Sequence, residues 1–326
     1  MNYNATVISC YARGTVSAPG GGWVGGLVGQ NSGMVSRSHA EGPVSAGDSV
    51  GGLVGYHEGA VSNCYSTGTV TGHEYVGGLV GQNRSTVSGS YATGFVTGTY
   101  HYVGGLVGWN YGTAIDCYAT GSVTGTDYVG GLSGQNYYGR VSGCYSTGYV
   151  TGDQYVGGLS GDLNNSTVRT SYWDTETSGQ TSSDGGMGRT TVQMQQQATF
   201  VGWDFASVWS LSENKYFPFL RWQGPFADAM DVGSGWSYLS WFGYFTDVGG
   251  GWLYHAEYGW LFPSGTTPAS IWLWDYRMAG WLWTSSTVYP FLWSDPLQTW
   301  LYYYRGTGHG NGGWFYNYGT GQNEWR

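Results

Sequence analysis

The sequence predicts an all-β chain: a right- or left-handed three-sided parallel β-solenoid with a small mixed cap, then an antiparallel module of aromatic β-hairpins. Three observations predict this fold class. Short apolar blocks recur at a fixed period, glycine supplies 60 of the 326 residues, and aromatic side chains make up 18% of the chain. Aromatic and β-branched residues favour strands. The predicted domains are residues 1–172 (solenoid), 173–223 (cap) and 224–326 (hairpin module).

The repeat is the strongest signal in the first half of the chain. A Val-Gly-Gly-Leu-(Val/Ser)-Gly block recurs at spacings of 26 or 27 residues, beginning at Val24, Val50, Val76, Val103, Val129 and Val156. A unit this short cannot bury a face alone, so stacked copies should share one core. Three apolar segments per unit predict three strands per turn, with equivalent residues in columns about 4.8 Å apart. Glycines are expected at the corners, where they permit positive φ.

A second block, often Val-Ser-x-Cys-Tyr-(Ala/Ser)-Thr-Gly, gives each turn one small residue. This position is filled by Cys10, Ser38, Cys64, Ser90, Cys117, Cys144 and Ser171. We expect a buried column of reduced thiols and hydroxyls, with a disulfide between Cys117 and Cys144 on adjacent turns as the alternative. The tyrosine that follows the small residue in most turns should then face outward.

Two further columns are predicted. Asparagine recurs at one corner and should form a hydrogen-bonded ladder of Asn31, Asn83, Asn110 and Asn136. Aromatic residues precede the Gly-Gly pair in five turns, at Trp23, Tyr75, Tyr102, Tyr128 and Tyr155. These rings are interpreted as a structural ladder, with a ligand platform as the alternative.

The segments Gly26-Leu27-Val28-Gly29 and Gly78-Leu79-Val80-Gly81 show the family resemblance. Over roughly residues 1–172 the repeats resemble the GLUG motif, named for this Gly-Leu-(Val/Ser)-Gly core. GLUG repeats occur in large bacterial surface and secreted proteins, including adhesin-like and some IgA-peptidase-like proteins. The resemblance implies an extracellular scaffold or adhesive role. It does not imply proteolysis, because His73-Glu74 is not followed by the second histidine of His-Glu-x-x-His.

The segment from Ser171 to Trp222 resembles the one that closes GLUG arrays, and it is expected to cover the open end of the solenoid. Thr190 or Thr191 should begin a helix of about two turns. Asp174 and Asp204 are interpreted as turn formers. The residues expected to plug the last turn are Phe200, Trp203, Phe205 and Trp209.

At the other end no cap is predicted. Asn2 aligns with Asn31 and Asn83, so the chain opens partway through a repeat. An exposed parallel edge opposite a different surface makes a heterologous interface, which generates open filaments. Head-to-tail assembly into a fibre is therefore one interpretation.

The tail carries most of the tryptophan: 12 of 18 lie in residues 233–326. Units such as Gly259-Trp260-Leu261-Phe262 alternate aromatic and aliphatic residues, which predicts short antiparallel hairpins. They loosely resemble the hairpins of choline- and glucan-binding repeats, which implies sugar or cell-envelope recognition. The alternative, favoured for most of the tryptophans, is that the rings fill the module's core. The predicted ligand-binding residues are Trp252, Trp260, Trp272, Trp281, Trp300 and Tyr302.

The composition restricts the partners. A net charge of −9 with 11 Lys plus Arg and no basic stripe argues against nucleic acid. No apolar run is long enough for membrane insertion. We expect no catalytic residues, because the carboxylates are scattered along the chain. His255 and Glu257, although close in sequence, are not expected to form a catalytic or metal site. We also expect no cofactor and no metal site elsewhere. The predicted function is a non-enzymatic, extracellular structural or adhesive protein of a bacterial cell surface, whose partner is itself or surface glycans. The alternatives are a carbohydrate- or envelope-binding protein, a solenoid enzyme, and an ice-binding protein with threonine columns.

Overall fold

The computed structural model describes residues 5–211, 213–223, 226, 229–249, 252–267, 270–310 and 312–326. It is almost entirely β-structure and divides into two compact units, residues 1–219 and 220–326. The boundaries predicted after residues 172 and 223 stay predictions. In the described ranges, no helix has the length and hydropathy needed to cross a bilayer.

The first unit is a parallel β-solenoid of about six turns, as predicted. The described strands of the solenoid form four sheets, in which equivalent strands of successive turns are neighbours. The first sheet contains Thr6–Ile8, Met34–Ser36, Ala60–Ser62, Thr86–Ser88, Thr113–Ile115, Arg140–Ser142 and Thr167–Arg169. The second contains Tyr11–Ala12, His39–Ala40, Tyr65–Ser66, Tyr91–Ala92, Tyr118–Ala119, Tyr145–Ser146, Tyr172–Asp174 and Met187–Arg189.

The third sheet takes two segments from most turns, and the fourth takes one. The third contains Val16–Gly25, Val44–Gly51, Val70–Gly72, Glu74–Gly77, Val96–Gly98, His101–Gly104, Val123–Thr124, Asp127–Gly130, Val150–Thr151 and Gln154–Gly157. The fourth contains Val28–Asn31, Val54–His57, Val80–Asn83, Val107–Asn110, Ser133–Tyr137 and Ser160–Asn164.

Each turn is more finely divided than expected. The turn that begins at Val70 carries five short strands, ending with the two-residue strand Tyr91–Ala92. The expectation of three strands was wrong because a strand of two residues has no alternating pattern from which to recognise it.

The repeats lie in register. Val76 pairs with Val50 on one side and with Val103 on the other. The leucine column Leu53, Leu79, Leu106, Leu132 and Leu159 is buried in one apolar cluster with Cys64, Cys117 and Cys144. The valines of the third sheet form a second cluster, which includes Val70 and Val76. The interior columns are confirmed, but each turn encloses two cores rather than one.

The Gly-Gly pairs of the repeat are needed for close approach between turns rather than for positive φ. A Cβ on Gly52 would lie 2.1 Å from the carbonyl oxygen of Gly78, and one on Gly78 would lie 2.0 Å from that of Gly105. The positive φ before each Gly-Gly pair belongs instead to residues such as Tyr75 (55°) and Tyr102 (62°). The sequence-based explanation is therefore wrong for the Gly-Gly pairs and correct at other glycines such as Gly89 and Gly143, whose φ angles are 52° and 64°.

The small-residue column is buried and reduced. All four cysteines are free, and only Cys10 is exposed. Their thiols donate to the carbonyl two residues earlier, as Cys117 Sγ does to Ile115 at 3.1 Å. Serine makes the same bond, since Ser90 Oγ donates to Ser88 at 2.7 Å. Cysteine and serine are therefore equivalent in this column as small side chains that donate to the same backbone carbonyl. No disulfide joins Cys117 to Cys144.

The asparagine ladder is confirmed. Asn83 Nδ2 donates to Asn110 Oδ1 at 2.8 Å, and Asn110 Nδ2 donates to Asn136 Oδ1 at 2.9 Å. His57 takes the place of asparagine in its turn: its Nδ1 lies 3.1 Å from Asn31 Nδ2 and its Nε2 lies 3.1 Å from the Thr86 carbonyl. These side chains are fully buried. They satisfy one another because the turns are stacked in register.

The tyrosines that follow the small residues form a stacked outer column. The rings of Tyr65 and Tyr91 are 5.0 Å apart and those of Tyr118 and Tyr145 are also 5.0 Å apart. The outward orientation is correct in the early turns, where Tyr11 is exposed, but Tyr118, Tyr145 and Tyr172 are buried. A later segment covers them.

That segment is the cap, and its aromatic residues lie on the flank of the solenoid instead of plugging its end. Trp203 and Trp209 contact the ring of Tyr145, and Phe200 contacts that of Tyr172. The residue that covers the last turn is Trp173, which belongs to the main core cluster. The predicted position of the plug was therefore wrong. Trp173 continues the repeat pattern, so the sequence did not identify it as the residue that covers the last turn.

The cap has little regular structure. Thr190 is the N-cap of a one-turn helix, Thr191–Met194, and forms a capping box with Gln193. The predicted N-cap residue is therefore correct, and the predicted helix length was too great. Asp174 Oδ1 accepts from the backbone of Glu176, and Asp204 Oδ1 from that of Ala206, which confirms both as turn formers. The remaining elements are the 3-10 helices Gln197–Thr199 and Arg221–Gln223 and the strands Trp209–Ser210 and Phe219–Leu220.

The second unit is an antiparallel meander in which every described strand pairs with the next along the chain. Its strands are Met230–Gly233, Trp236–Leu239, Gly243–Gly249, Trp252–His255, Gly259–Thr267, Ser270–Asp275, Gly280–Thr284, Phe291–Ser294, Thr299–Tyr303, Trp314–Asn317 and Gln322–Trp325. The ring of Tyr258 contacts those of Tyr303 and Phe315, so the sheet curls and brings distant strands together.

Candidate functional site

Alternation along the strands gives the second unit two chemically different faces. In Trp252–His255 and Gly259–Thr267, the residues Leu253 and Leu261 pair across the strands and are buried. The neighbouring rings of Trp252, Tyr254 and Trp260 point to the opposite face. The core is made of leucines with Ile271 and a few aromatic rings. We call the opposite side, from Tyr244 to Trp325, the aromatic face.

The tryptophans of this unit do not fill its core. In the described ranges, none of the tryptophans after residue 233 is among the buried residues. Several are strongly exposed, including Trp260 at 46% and Trp314 at 45%. The favoured prediction of a tryptophan-filled core was wrong, because the single leucine between two aromatic residues supplies enough apolar surface once the sheet curls.

A cavity of about 520 Å³ opens on the aromatic face. It is lined by Val248, Trp252, Trp260 and Tyr276. Two of these, Trp252 and Trp260, are predicted ligand-binding residues. Val248 and Tyr276 were missed, because neither lies in a Trp-Leu unit; Tyr276 follows the strand Ser270–Asp275 and is 66% exposed.

The other predicted residues lie on the same face but outside this cavity. Trp272 is exposed, and Trp281, Trp300 and Tyr302 are half-buried. Trp281 is directly opposite Trp274 in the sheet, and Trp300 is opposite Trp293. The structure thus places all six predicted residues on one surface and brings only Trp252 and Trp260 to one cavity.

Neighbouring rings pack edge to face across the strands. The ring centroids of Trp252 and Phe262 are 5.4 Å apart with their planes at 69°, and those of Tyr254 and Trp260 are 5.5 Å apart at 76°. This geometry is favourable for aromatic quadrupoles and adds about 0.5–1.5 kcal/mol per pair. Each ring is held in one orientation and leaves part of its surface accessible, which suits stacking against a flat, uncharged ligand.

His255 and Glu257 build a turn. His255 Nδ1 accepts from the backbone N–H groups of Glu257 and Tyr258, at 3.2 and 3.1 Å. Its Nε2 donates to the carbonyl of Phe242 at 2.9 Å. Desolvation by burial lowers the pKa of His255 to about 4, so the ring is neutral at pH 7. Both nitrogens are committed to backbone groups.

Other hairpins use the same kind of turn. Asp275 Oδ1 accepts from the N–H groups of Arg277 and Met278, at 2.8 and 2.9 Å. Asn317 Oδ1 accepts from Gly319 at 2.8 Å. Burial raises the pKa of the Asp275 carboxyl above its ordinary value. These buried polar residues fix the hairpins, and in the described residues no group of three or more His, Cys, Asp or Glu side chains could hold a metal ion.

The aromatic face also lacks charge. In the described strands from Gly243 to Trp325, its outward positions hold aromatic, Val, Ser, Thr or Asn residues. Asp247 pairs with Leu253 and Glu324 with Phe315, which places both carboxylates on the leucine side. An ionic ligand would find no counter-ion on these strands, so the arrangement favours an uncharged one.

Comparison with family models identifies the solenoid repeats. The model described as the GLUG motif matches four tandem segments, residues 46–71, 72–97, 99–124 and 125–151. These are GLUG repeats. In the GLUG repeats, the Leu of the motif is the buried residue of the main core, and the glycines allow the contact between turns described above.

Among solved structures, the chain is similar to a protein from Bacteroides ovatus described as a "putative immunoglobulin A1 protease". The two share 18% sequence identity with a TM-score of 0.47, over 67% of this chain and 76% of the other. At this level the similarity assigns no activity to the GLUG repeats or to the second unit. Comparison with curated proteins finds no match.

Proposed function

We propose that this protein is a non-enzymatic, extracellular adhesive protein of a bacterial surface. In it the GLUG solenoid is the scaffold and the aromatic face of the second unit binds glycans. The observation that carries the proposal is the cavity lined by Val248, Trp252, Trp260 and Tyr276, on a face whose rings are exposed while leucines make the core. Sugars present flat C–H faces that stack on such rings, and pockets of this size are typical of small-ligand sites.

The chemistry of the site supports binding rather than catalysis. In this unit, His255 and Asp275 accept from backbone N–H groups, and Glu257 accepts from the hydroxyl of Tyr303. None of these three residues lines the cavity. The GLUG repeats support a surface location, since stackable units with few charged residues suit a scaffold that presents a module to its surroundings.

A glycan array with the full 326-residue chain tests the proposal. We expect binding to one or more glycans, and a loss of at least about tenfold in affinity for Trp260→Ala, because truncation removes a stacking surface. Phe95→Ala is the control: Phe95 is also an exposed ring (63%, against 46% for Trp260), but it lies in the solenoid. Absence of any glycan signal, or equal losses for both variants, would contradict the proposal.

A second proposal is head-to-tail assembly of the solenoid. Its support is that equivalent strands of successive turns pair in register along the solenoid, a parallel pairing that continues between two copies stacked end to end. Asn2 lies outside the described residues. Negative-stain microscopy of the 326-residue chain should show fibres that lengthen with concentration, whereas discrete single particles at high concentration would rule out this assembly.

A further inference from the structure

One arginine of the solenoid, Arg84, lies among aromatic rings at a corner of the repeat. Its guanidinium carbon is 5.7 Å from the ring centroid of Tyr56, 5.5 Å from that of Trp109 and 5.9 Å from that of Tyr111. Tyr56 belongs to the turn before Arg84, whereas Trp109 and Tyr111 belong to the turn after it. We call this group, with two further rings, the arginine cluster. Its members are Arg84, Tyr56, Trp109, Tyr111, Tyr137 and Tyr138.

The rings of the arginine cluster pack on one another and leave an accessible surface. The ring centroids of Trp109 and Tyr137 are 6.0 Å apart, and those of Tyr111 and Tyr138 are 6.1 Å apart. Arg84 is exposed, and the exposed fractions of Tyr111 and Tyr138 are 45% and 54%. The surface beside the guanidinium is therefore aromatic and open to solvent.

The repeat departs from its period at this corner. Before the corner, Asn110 pairs with Asn136, and beyond it Thr113 pairs with Arg140. The corner after Asn136 is therefore one residue longer than the corner after Asn110. It includes Tyr138, whose φ of 55° is a left-handed conformation that glycine adopts without strain. An exposed aromatic ring at a strained position points to a use for the side chain.

Arg84 differs in its charge balance from Arg13, another arginine that lies over a tyrosine ring. The Arg13 guanidinium is 4.9 Å from that ring, and its Nε is 2.8 Å from the carboxylate of Glu41. Arg84 forms no ion pair within the part of the chain that the structure describes. One turn earlier, Glu58 accepts from the hydroxyl of Tyr56 at 2.7 Å. The positive charge of Arg84 is thus available to a ligand.

The arginine cluster combines two kinds of recognition. A guanidinium presents its N–H groups in a rigid fork that matches a carboxylate, and its contacts with rings restrict its orientation before a ligand arrives. The exposed rings of Tyr111 and Tyr138 offer flat apolar surface beside it. A uronic acid carries its carboxylate directly on the sugar ring. One such sugar therefore reaches the guanidinium and the Tyr111 ring, whose centroid is 5.9 Å away, at the same time.

We propose that the arginine cluster is a binding site for a sugar that carries a carboxylate. The fork of Arg84 binds the carboxylate, and the sugar ring stacks on Tyr111 or Tyr138. This site goes beyond the proposed function, because it lies in the solenoid and takes a different class of ligand. The aromatic face of the second unit has no charged side chain at the outward positions of its described strands and suits an uncharged glycan.

The test is a ligand-observed NMR titration of the full chain with D-glucuronic acid and with N-acetylneuraminic acid. Glucose supplies the sugar ring without the carboxylate, and acetate supplies the carboxylate without the ring. We expect at least one acidic sugar to bind about tenfold or more tightly than glucose and acetate, because charge-assisted hydrogen bonds and stacking act together. Its affinity should fall as the salt concentration rises. Acetate that binds as tightly as the acidic sugars, or no binding of either acid, would overturn the inference.

Variants locate the site. Arg84→Gln should lower the affinity for the acidic sugar at least about tenfold, and Arg84→Lys should recover only part of it, because lysine keeps the charge and lacks the fork. Tyr111→Ala should lower the affinity about threefold through loss of the stacking surface. Arg13→Gln is the matched control, since Arg13 is also exposed over a ring but is paired with Glu41. Thermal unfolding checks that each variant is folded, and equal affinities of Arg84→Gln and Arg13→Gln would contradict the site.

A second set of outcomes separates this site from the aromatic face. Trp260→Ala should not alter binding of the acidic sugar, and Arg84→Gln should not alter binding of an uncharged glycan. If Trp260→Ala alone abolishes binding of the acid, the inference is wrong and the proposed function stands. If the acid binds through Arg84 and no uncharged glycan binds, the inference stands and the glycan-binding role of the aromatic face is wrong. A dimer in sedimentation velocity that Arg84→Gln dissociates would make the arginine cluster an interface between two copies and overturn the inference.

Discussion

Asn83 donates its side-chain amide to Asn110 across adjacent turns of the solenoid, at 2.8 Å in a fully buried position. The bond joins residues 27 positions apart in sequence. It forms because the repeat holds equivalent residues at one strand spacing, and the same register aligns the valine, leucine and tyrosine columns. The ladder therefore reports directly on how the turns are stacked.

Replacing Asn110 by alanine should destabilise the solenoid by roughly 2 kcal/mol, because Asn136 Oδ1 loses its donor in a buried site. Chemical denaturation, followed by circular dichroism, measures the free energy of unfolding. Asn164→Ala is the control, since Asn164 is exposed and should change stability by less than about 0.5 kcal/mol. Equal effects of the two substitutions would contradict the ladder's role.

The two buried histidines make stability depend on pH. Burial lowers the pKa of His57 and of His255 to about 4, below the ordinary value of 6.5. The unfolded chain therefore binds protons first, and the stability contributed by each neutral ring is complete above pH 6.5 and is lost as the pH falls toward 4. The slope is at most about 1.4 kcal/mol per pH unit for each histidine.

His57→Asn isolates one of these contributions. Asparagine occupies the same column in neighbouring turns, so the variant should remain folded. The measurement is the free energy of unfolding of the solenoid between pH 7 and pH 4. We expect a smaller loss in the variant than in the wild type, and parallel curves would show that His57 is not buried as a neutral ring.

The cysteine column should accept serine but not a larger side chain. Serine makes the same bond to the carbonyl two residues earlier, so Cys117→Ser should change stability by no more than about 1 kcal/mol. Cys117→Leu should cost about 1–3 kcal/mol by overpacking. Thermal unfolding compares the two; a large loss for serine alone would show that the thiol has another role.

The accessibility of the thiols can be tested separately. Only Cys10 is exposed, and burial raises the pKa of the Cys64 thiol to about 11. An aromatic disulfide reagent should therefore modify one thiol in the native protein and all four after denaturation. Rapid modification of more than one native thiol would contradict the burial of the column.

The glycine requirement gives a steric prediction. Gly78→Ala would place a Cβ 2.0 Å from the Gly105 carbonyl oxygen, and we expect a loss of about 3 kcal/mol as the turns separate. Gly14→Ala is the matched control, because no atom lies within 4 Å of the added Cβ. Differential scanning calorimetry of both variants measures the difference, and similar melting temperatures would show that the turns are not closely stacked at Gly78.

The repeat period predicts the features that depend on the register between turns. It does not predict the burial of a residue that is covered by a segment distant in the sequence. The solenoid, the buried leucine column and the asparagine ladder follow from spacing alone, because every turn repeats the same neighbours. The burial of Tyr118 and Tyr145 could not be predicted, since it depends on where Trp203 and Trp209 return along the flank. The sequence also could not show that Tyr75, and not a glycine of the Gly-Gly pair, has the positive φ, because this depends on the distances between the backbones of adjacent turns.

The same contrast applies to the aromatic face. Alternation places Trp252 and Trp260 on one side of the sheet, and this part of the site could be predicted. Which side of the sheet is buried depends on the curvature of the sheet. The contact between Tyr258 and Tyr303 reveals this curvature, whereas the sequence pattern does not. Tyr276 lies in a turn and gives no periodic signal, so its place in the cavity required coordinates.

Hydroxyl-radical footprinting of the full chain, with and without a bound glycan, tests most directly that exposed rings of the second unit form the binding surface. Without ligand, Trp260, Tyr276 and Trp314 should be oxidised readily, while the buried Trp173 and Trp209 should not. With ligand, Trp260 and Tyr276, which line the cavity, should be protected. Protection confined to residues of the solenoid, or no protection under conditions where the glycan is bound, would contradict the account.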